Sequence, residues 1–400
     1  MSLFSWLGFG KASVTRPEES GAKSSGTGDL PAIYCDPASN NARAALDLGK
    51  IRIVEDPGKA DLLWMRKGYR EWFGKLRPFQ LLNHFPNERA VTDKGFLAEH
   101  LGGFSRSQSK YDFGMKELVQ ETYCLYIPEE RARFFSQLPP SESKENLWIL
   151  KPCSSSRGRG IQILWQFDEL RDAYAHPEQF DFDPQTDRYV IQRYIRNPLL
   201  LDGRKSEIRI YWLVASLEPL LVLMYREGTV RLNTQRFSLD DFDNTLIHVT
   251  NVFQQKSHPD YDPSAILKWS FSDWENYVVR DLGLAVENWV EGHLKPRLKR
   301  MLSFVVDAAR SALAQDLGNG LPFGLFGADI IFDDTLHPWL TEVQKGPGLS
   351  FDDPIKQKVI PAMLNEAIAI MLEVRRRKRD GLGLDQLDAV HGFEWVARES

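Results

Sequence analysis

The stretch Phe326–Pro347, FGADIIFDDTLHPWLTEVQKGP, decides how this chain is read. Its pattern predicts two short strands over the apolar runs Ala328–Phe332 and Trp339–Val343, with Asp333-Asp334-Thr335 supplying the turn. Alternation along a strand puts Glu342 and Gln344 on one face and Thr341 and Val343 on the other. Pairing of the two strands would bring Asp329 near Glu342. A carboxylate inside an apolar run is costly to bury unless something cationic compensates it. Two carboxylates and an amide oxygen make a hard donor set, which suits Mg²⁺ with substrate phosphates. The alternative is an ordinary hairpin with exposed acids.

Working outward, LLLDGRKSEIRIYWLV (Leu199–Val214) spaces Lys205, Glu207 and Arg209 two apart. One strand face then displays plus, minus, plus, while Ile208 and Ile210 fill the opposite face. Such a stripe usually lines a solvated edge, but the apolar surroundings favour a polar cleft. YREGTVR (Tyr225–Arg231) turns at Glu227-Gly228 and ends a strand at Arg231. LIHVTN (Leu246–Asn251) puts His248, Thr250 and Asn251 on or just beyond a further strand, where an isolated histidine is more often structural than catalytic. Further upstream, LWILKPCSSSRGRGIQI (Leu147–Ile163) carries Lys151 into a Ser/Arg/Gly loop between two apolar runs. Small residues let backbone N–H groups approach an anion, and the lysine adds a point charge at the loop's root. It is not a Walker loop, since no GKS or GKT follows, and a plain hairpin turn is its alternative.

Composition bounds the rest. The 400 residues are 42% hydrophobic and 26% charged with a net charge of −5, so no global positive field points to nucleic acid. The length predicts two or three subdomains. Cys35, Cys124 and Cys153 have neither paired nor metal-ligand spacing, which suits free thiols in a reducing compartment. The longest apolar tract, Tyr211–Tyr225, is broken by Glu218-Pro219 and reads as two strands and a turn, too short to cross a bilayer as a helix. A cytoplasmic protein with no membrane partner is expected. Residues 1–29 read as a flexible tail that makes a poor signal peptide. AIYC, IRIV and DLLWM open an α/β unit after Pro31. Leu282–Asp316 and Pro361–Val374 have helical spacing, and the second runs into Arg375–Arg379, RRRKR, read as a solvated helix end or, less simply, as a contact for an acidic tail.

Taken in order, these features resemble the tubulin–tyrosine ligase-like family, which has the ATP-grasp fold. The features are a phosphate loop with its lysine, the strand-like RYVIQRYI whose end is QRYI (Gln192–Ile195), the K-x-E-x-R strand, an arginine, HVTN and the late acid pair. NHFPNERAVTDKGFL (Asn83–Leu97) and HPWLTEVQKGP (His337–Pro347) add to the likeness, which runs from about Pro31 to Leu372. The resemblance implies an α/β (α+β) chain. Its divisions are an N-terminal domain (30–110), a central ATP-grasp domain (111–200) and a C-terminal ATP-grasp domain (201–378) cradling ATP, followed by a tail (379–400).

It further implies site roles. Lys151 and the loop holding Arg157, Gly158 and Gly160 would cover the ATP phosphates, with Lys205 nearby. The backbone of Gln192, Arg193, Tyr194 and Ile195 would meet the adenine, and Glu207 would stand on the ribose side. Thr250 and Asn251 would lie along the phosphates. Arg209 and Arg231 would face the reacting carboxylate or incoming amino acid, and Asp329, Glu342 and Gln344 would hold Mg²⁺. The family usually has Asp at 207 and Asn at 344, so each position here is one methylene longer. The implied activity is ATP-dependent ligation of a free amino acid to an acidic protein tail, tubulin being the family's usual acceptor. Two alternatives are a ligase for another acceptor and a nucleotide-binding pseudoenzyme serving as an interaction module.

Overall fold

The computed structural model describes residues 30–139, 143–180, 182–184, 186–262, 267–283, 288–351 and 353–399. Three sheets carry the chain. The first is parallel, with β1 (Ala32–Cys35), β2 (Arg52–Ile53), β3 (Leu62–Trp64) and β4 (Leu81–Leu82) in the order β4-β3-β1-β2. Leu321–Pro322, from much later in the chain, extends its β4 edge. The second is antiparallel, with β5 (Thr122–Cys124), β6 (Trp148–Pro152), β7 (Gln162–Leu164) and β8 (Tyr189–Arg193) in the order β5-β8-β6-β7.

The third sheet is built on one long strand. It contains β9 (Leu200–Leu201), β10 (Arg204–Leu217), β11 (Leu220–Tyr225), β12 (Thr229–Leu232) and β13 (Lys268–Trp269). After Leu321–Pro322, which is β14, come β15 (Gly324–Phe332), β16 (Pro338–Gln344) and β17 (Phe393–Arg398). The path β13-β12-β10-β11-β17 is joined by β15, which pairs with β10 on one side and β16 on the other.

The pleat of β10 explains both the core and the cleft. Ile208, Ile210, Trp212 and Val214 point to one face and pack with the helix Lys295–Leu313 through Leu298, Met301, Leu302 and Val305. On the other face Tyr211 and Leu213 meet the helix Pro354–Arg379 through Ile360, Met363, Leu364 and Ala367. The same face carries Lys205, Glu207 and Arg209 near the start of the strand. Apolar residues therefore cover both faces of one half of β10, while the other half turns a charged stripe toward a cleft. At about 25 cal/mol per Å² of apolar surface, the doubly covered half anchors the sheet.

Several elements differ from expectation. The HVTN stretch is not strand: Thr245–His248 and Val252–Ser257 are short helices, because the Asn244 and Asn251 side chains accept from Leu246 N and Phe253 N and cap them. Residues 379–400 are not simply a tail, since β17 pairs with β11. The approach to β17 is held by Glu366 Oε1, which accepts from the amides of His391, Gly392 and Phe393. Leu321–Pro322 and the helix Pro354–Arg379 also tie the expected 30–110 and 201–378 divisions into a shared sheet and a shared core. From Pro31 onward the chain is one compact unit. The helix expected over Leu282–Asp316 is α-helical over Lys295–Leu313 behind a π-turn at Val290–Leu294, and 284–287 lie outside the described residues. The basic run is the last turn of the Pro354–Arg379 helix and is largely engaged within the fold. Arg375 pairs with Asp61, Arg377 with Glu373, and Lys378 with Ser216 Oγ and Glu218 O. The 1–29 expectation lies outside the described residues.

Candidate active site

The hairpin β15–β16 pairs Asp329 opposite Glu342, as its sequence predicts. A register shift follows at once, between Asp329 and Ile330, and leaves Thr341 as the extra residue of a β-bulge. Thr341 consequently does not point away from Glu342. Its hydroxyl donates to Asp329 O at 3.0 Å, and it lines the same cleft as Glu342 and Gln344. Strict alternation hid it from the sequence reading.

Cations and carboxylates interlock at this end. Arg209 grips Asp329 with two prongs, Nε to Oδ1 at 2.5 Å and Nη2 to Oδ2 at 2.7 Å, and spends Nη1 on Pro347 O at 2.8 Å. Gly327 permits this: a Cβ there would lie 3.0 Å from Arg209 Cδ and 3.1 Å from Nε. Arg231 Nη1 reaches Glu207 Oε1 at 2.9 Å and Asp329 Oδ2 at 3.4 Å. Burial works to raise the Asp329 carboxyl, but Arg209 and Arg231 outweigh it and hold the group below the usual range. Glu207 goes the other way. Burial and the charge of Asp329 push it up to about 7, against Arg231, Arg209 and a hydrogen bond from Thr250.

The opposite end of the cleft is built differently. Lys151, on β6, donates to Gln192 Oε1 at 2.8 Å. Lys205, on β10, donates to Tyr194 Oη at 3.3 Å and to His248 O at 3.0 Å. All three acceptors are neutral. Burial, then the charge of Lys94, brings Lys151 down to about 8 although Glu342 and Glu207 oppose the shift. Burial brings Lys205 down to about 7 despite Glu207, with Lys151 adding to the fall.

Between the two ends lies a cleft lined by Lys151, Gly158, Lys205, Glu207, Thr250, Asn251, Asp329, Thr341, Glu342 and Gln344, among others. Gly158 takes φ 71° in the loop after β6, and a Cβ there would meet Val249 Cγ1 at 2.9 Å. Gly160 also has a positive φ, and a Cβ on it would meet Pro152. Arg157 lies over the Phe253 ring at 4.7 Å, so it bridges the loop to the helix Val252–Ser257. Asn251 lines the cleft, but its Oδ1 is used as that helix's cap.

Some expected residues do not converge. The side chain of Arg193 stacks on Trp148 at 4.1 Å and bonds Asn146 and Glu121. The amides of Arg193 and Tyr194 are taken by Glu121 O and Leu147 O. Ile195 is half-buried just beyond β8.

Besides Thr341, two residues were missed. Lys94 Nζ lies 3.3 Å from Glu342 Oε2 and 3.0 Å from Ser155 O, joining the acid strand to the Ser/Gly loop. Asp93 caps the helix Lys94–Ser107 and also accepts from Ser154 and Arg89. The signal was present in VTDKGFL, an N-cap aspartate followed by lysine and glycine, but nothing local says that it faces the cleft.

The donor set fits a hard cation. Gln344 Nε2 stands 3.2 Å from Asp329 Oδ2 and 2.7 Å from Glu342 Oε1, so the positive end of the amide fills the gap between the two carboxylates. Turning the amide end for end presents its oxygen to the same place. Two carboxylates and an amide oxygen converging at one point suit Mg²⁺. Among the described residues, no group of three or more His, Cys, Asp or Glu side chains is placed to hold a metal, so any metal here would use the amide.

A model of the Tubulin-tyrosine ligase family matches residues 74–380, and the chain belongs to that family. It is 30% identical over 320 residues to probable tubulin polyglutamylase TTLL2 of Mus musculus, an overlap that takes in 78% of this chain and 54% of the relative. Probable tubulin polyglutamylase ttll-9 of Caenorhabditis elegans is 27% identical over 337 residues, with 84% and 76% covered. Inactive polyglycylase TTLL10 of Homo sapiens is 29% identical over 372 residues, with 80% and 53% covered. The chain thus spans about half the length of the TTLL2 relatives that it matches. No helix among the described residues is long and apolar enough to cross a membrane.

Proposed function

We propose that this chain is an ATP-dependent ligase that joins a free amino acid to a carboxylate of an acidic protein tail, in the cytoplasm, within an ATP-grasp cradle. The observation that carries this reading is the division of one cleft into two ends, buried lysines on neutral acceptors at one and interlocked carboxylates at the other. ATP is the co-substrate that matches both: its phosphates would meet Lys151, Lys205 and the Arg157–Gly160 loop, with Thr250 and Asn251 alongside. Its adenine would lie toward Gln192–Ile195 and its ribose toward Glu207.

Asp329, Glu342 and Gln344 would hold Mg²⁺. Bound there, the ion would neutralise phosphate charge as the γ-phosphoryl is transferred. The chain's own groups do the rest. Arg209 holds Asp329 in one orientation, and Arg231 stands beside it to meet the substrate carboxylate. The buried lysines stabilise the phosphoryl oxygens in a site where charges act strongly. In the reaction the acceptor carboxylate takes the γ-phosphoryl and releases ADP, then the amine of the incoming amino acid displaces phosphate to form the amide. The tubulin named for the polyglutamylase relatives is the first acceptor to test.

One specific observation favours a second reading. A relative is named an inactive polyglycylase, and Glu207 and Gln344 each depart from the family's usual residue, which would suit a pseudoenzyme. Incubation with ATP, Mg²⁺, labelled glutamate or glycine and tubulin separates the readings. The ligase releases ADP only with both amino acid and acceptor present, and mass analysis finds the added residue on the tail. No acceptor-dependent ADP with either amino acid would leave the pseudoenzyme or a ligase for another acceptor, which a screen of other acidic proteins separates.

A further inference from the structure

His248 has no part in the chemistry above, yet it is buried in the wall of the cleft. Three rings surround it, those of Tyr194, Phe237 and Phe242, with centroids at 5.8, 5.9 and 6.0 Å. Its Nε2 lies 2.7 Å from Asp241 O. A carbonyl only accepts, so Nε2 carries the proton. In a neutral imidazole Nδ1 is then an acceptor, and Tyr194 Oη, 2.9 Å away, must donate to it. That leaves the Tyr194 oxygen free to accept from Lys205 Nζ. The main chain closes the circuit, because Lys205 also donates to His248 O.

We propose that His248 is a positioning residue that keeps the Tyr194 oxygen turned to Lys205 as an acceptor, so that the 241–251 segment, the hydroxyl and the lysine are set as one unit. The inference rests on the reading of the cleft as a nucleotide site. His248 is not an acid or base of the reaction: burial holds it near 4, so it stays neutral across the working range. The groups that face Lys205 are Glu207 from its own strand, Lys151 from the second sheet, and the Tyr194 hydroxyl and His248 carbonyl across from it. Of these, only the last two are acceptors in contact with its ammonium group. Removing the hydroxyl withdraws one of them and makes the charged lysine harder to sustain.

The test is the affinity for ATP with Mg²⁺, measured by calorimetry at pH 6 and pH 8, for the parent protein, Tyr194→Phe and His248→Phe. At pH 6 the lysine is charged in parent and variant alike, so Tyr194→Phe binds within about twofold of the parent. At pH 8 the parent lysine is mostly neutral and must be charged on binding. The variant, lacking one acceptor, binds about tenfold more weakly, the size of one lost hydrogen bond to a charged group. His248→Phe follows the same pattern with its ring packing kept. Should that variant fail to fold, Tyr194→Phe, which keeps its buried ring, decides alone. Equal loss at both pH values, or no loss at either, would overturn the relay. A parent protein that binds no ATP would instead remove the nucleotide reading on which the relay rests.

Discussion

The two ends of the cleft treat buried charge in opposite ways. Around Asp329 every carboxylate meets a partner that can offset its charge or bind it: two arginines, the Gln344 amide and, at Glu342, Lys94. Around Lys151 and Lys205 the hydrogen-bond partners are an amide oxygen, a phenol and a carbonyl. The first arrangement holds Asp329 charged between two arginines and contributes to the fold, with Glu207 only partly compensated. The second leaves positive charge under-compensated, which costs stability in the free protein and is recovered only when an anion arrives. Stability and binding should therefore separate when the two ends are mutated.

Arg209→Leu has the largest expected effect. It leaves Asp329 buried without its two-pronged partner, and loss of one member of a buried pair typically costs about 3–5 kcal/mol. Denaturant unfolding checks this, and a change below about 1 kcal/mol would mean that the arginine is dispensable to the fold. Glu342→Gln comes next and should leave the fold intact, since this carboxylate is only half-buried. Turnover should fall at least about a hundredfold, ~2.7 kcal/mol of transition-state stabilisation. Near-normal turnover would remove the metal assignment.

Lys151→Met inverts the pattern of Arg209→Leu. The stem is kept and an under-compensated buried charge is removed, so the melting temperature holds or rises. ATP affinity meanwhile drops about tenfold, ~1.4 kcal/mol. A destabilised variant with unchanged affinity would place this lysine with the structural charges. Gln344→Asn should be the mildest. Its shorter amide no longer spans Asp329 and Glu342, and magnesium tolerates poor geometry badly. A loss of about tenfold or less in turnover is expected because water can fill the gap. A gain of ADP release over an inactive parent would favour the pseudoenzyme.

The same contrast explains what was legible in the sequence. Period-two alternation revealed the Lys205, Glu207, Arg209 stripe and the Asp329–Glu342 pairing, because strands with one buried face leave that pattern in the chain. Thr341 escaped because a bulge adds a residue and breaks the period. HVTN was mistaken for strand because the side chains of Asn244 and Asn251, acting as caps, outweigh the β-branched residues between them. Leu321–Pro322, β17 and Lys94 could not be placed since each owes its position to partners far along the chain. How the buried lysines are paired is likewise a tertiary fact. Nothing local announces that Lys205 ends against Tyr194 and His248.

The most direct test of the account is the proton balance of ATP binding. In the free protein Lys205 lies near 7 and Lys151 near 8. Both folded values are depressed below the ordinary lysine range, so at pH 8 these groups hold fewer protons than a polyanion would demand. Bound phosphates raise both, and protons must be taken up, so affinity falls as pH rises from 6 to 9. Calorimetric titration of ATP with Mg²⁺ at pH 8, in two buffers of different ionisation heat, reads this directly. The account predicts uptake of about one proton or more per ATP. Binding with no proton uptake, or with release, would contradict it.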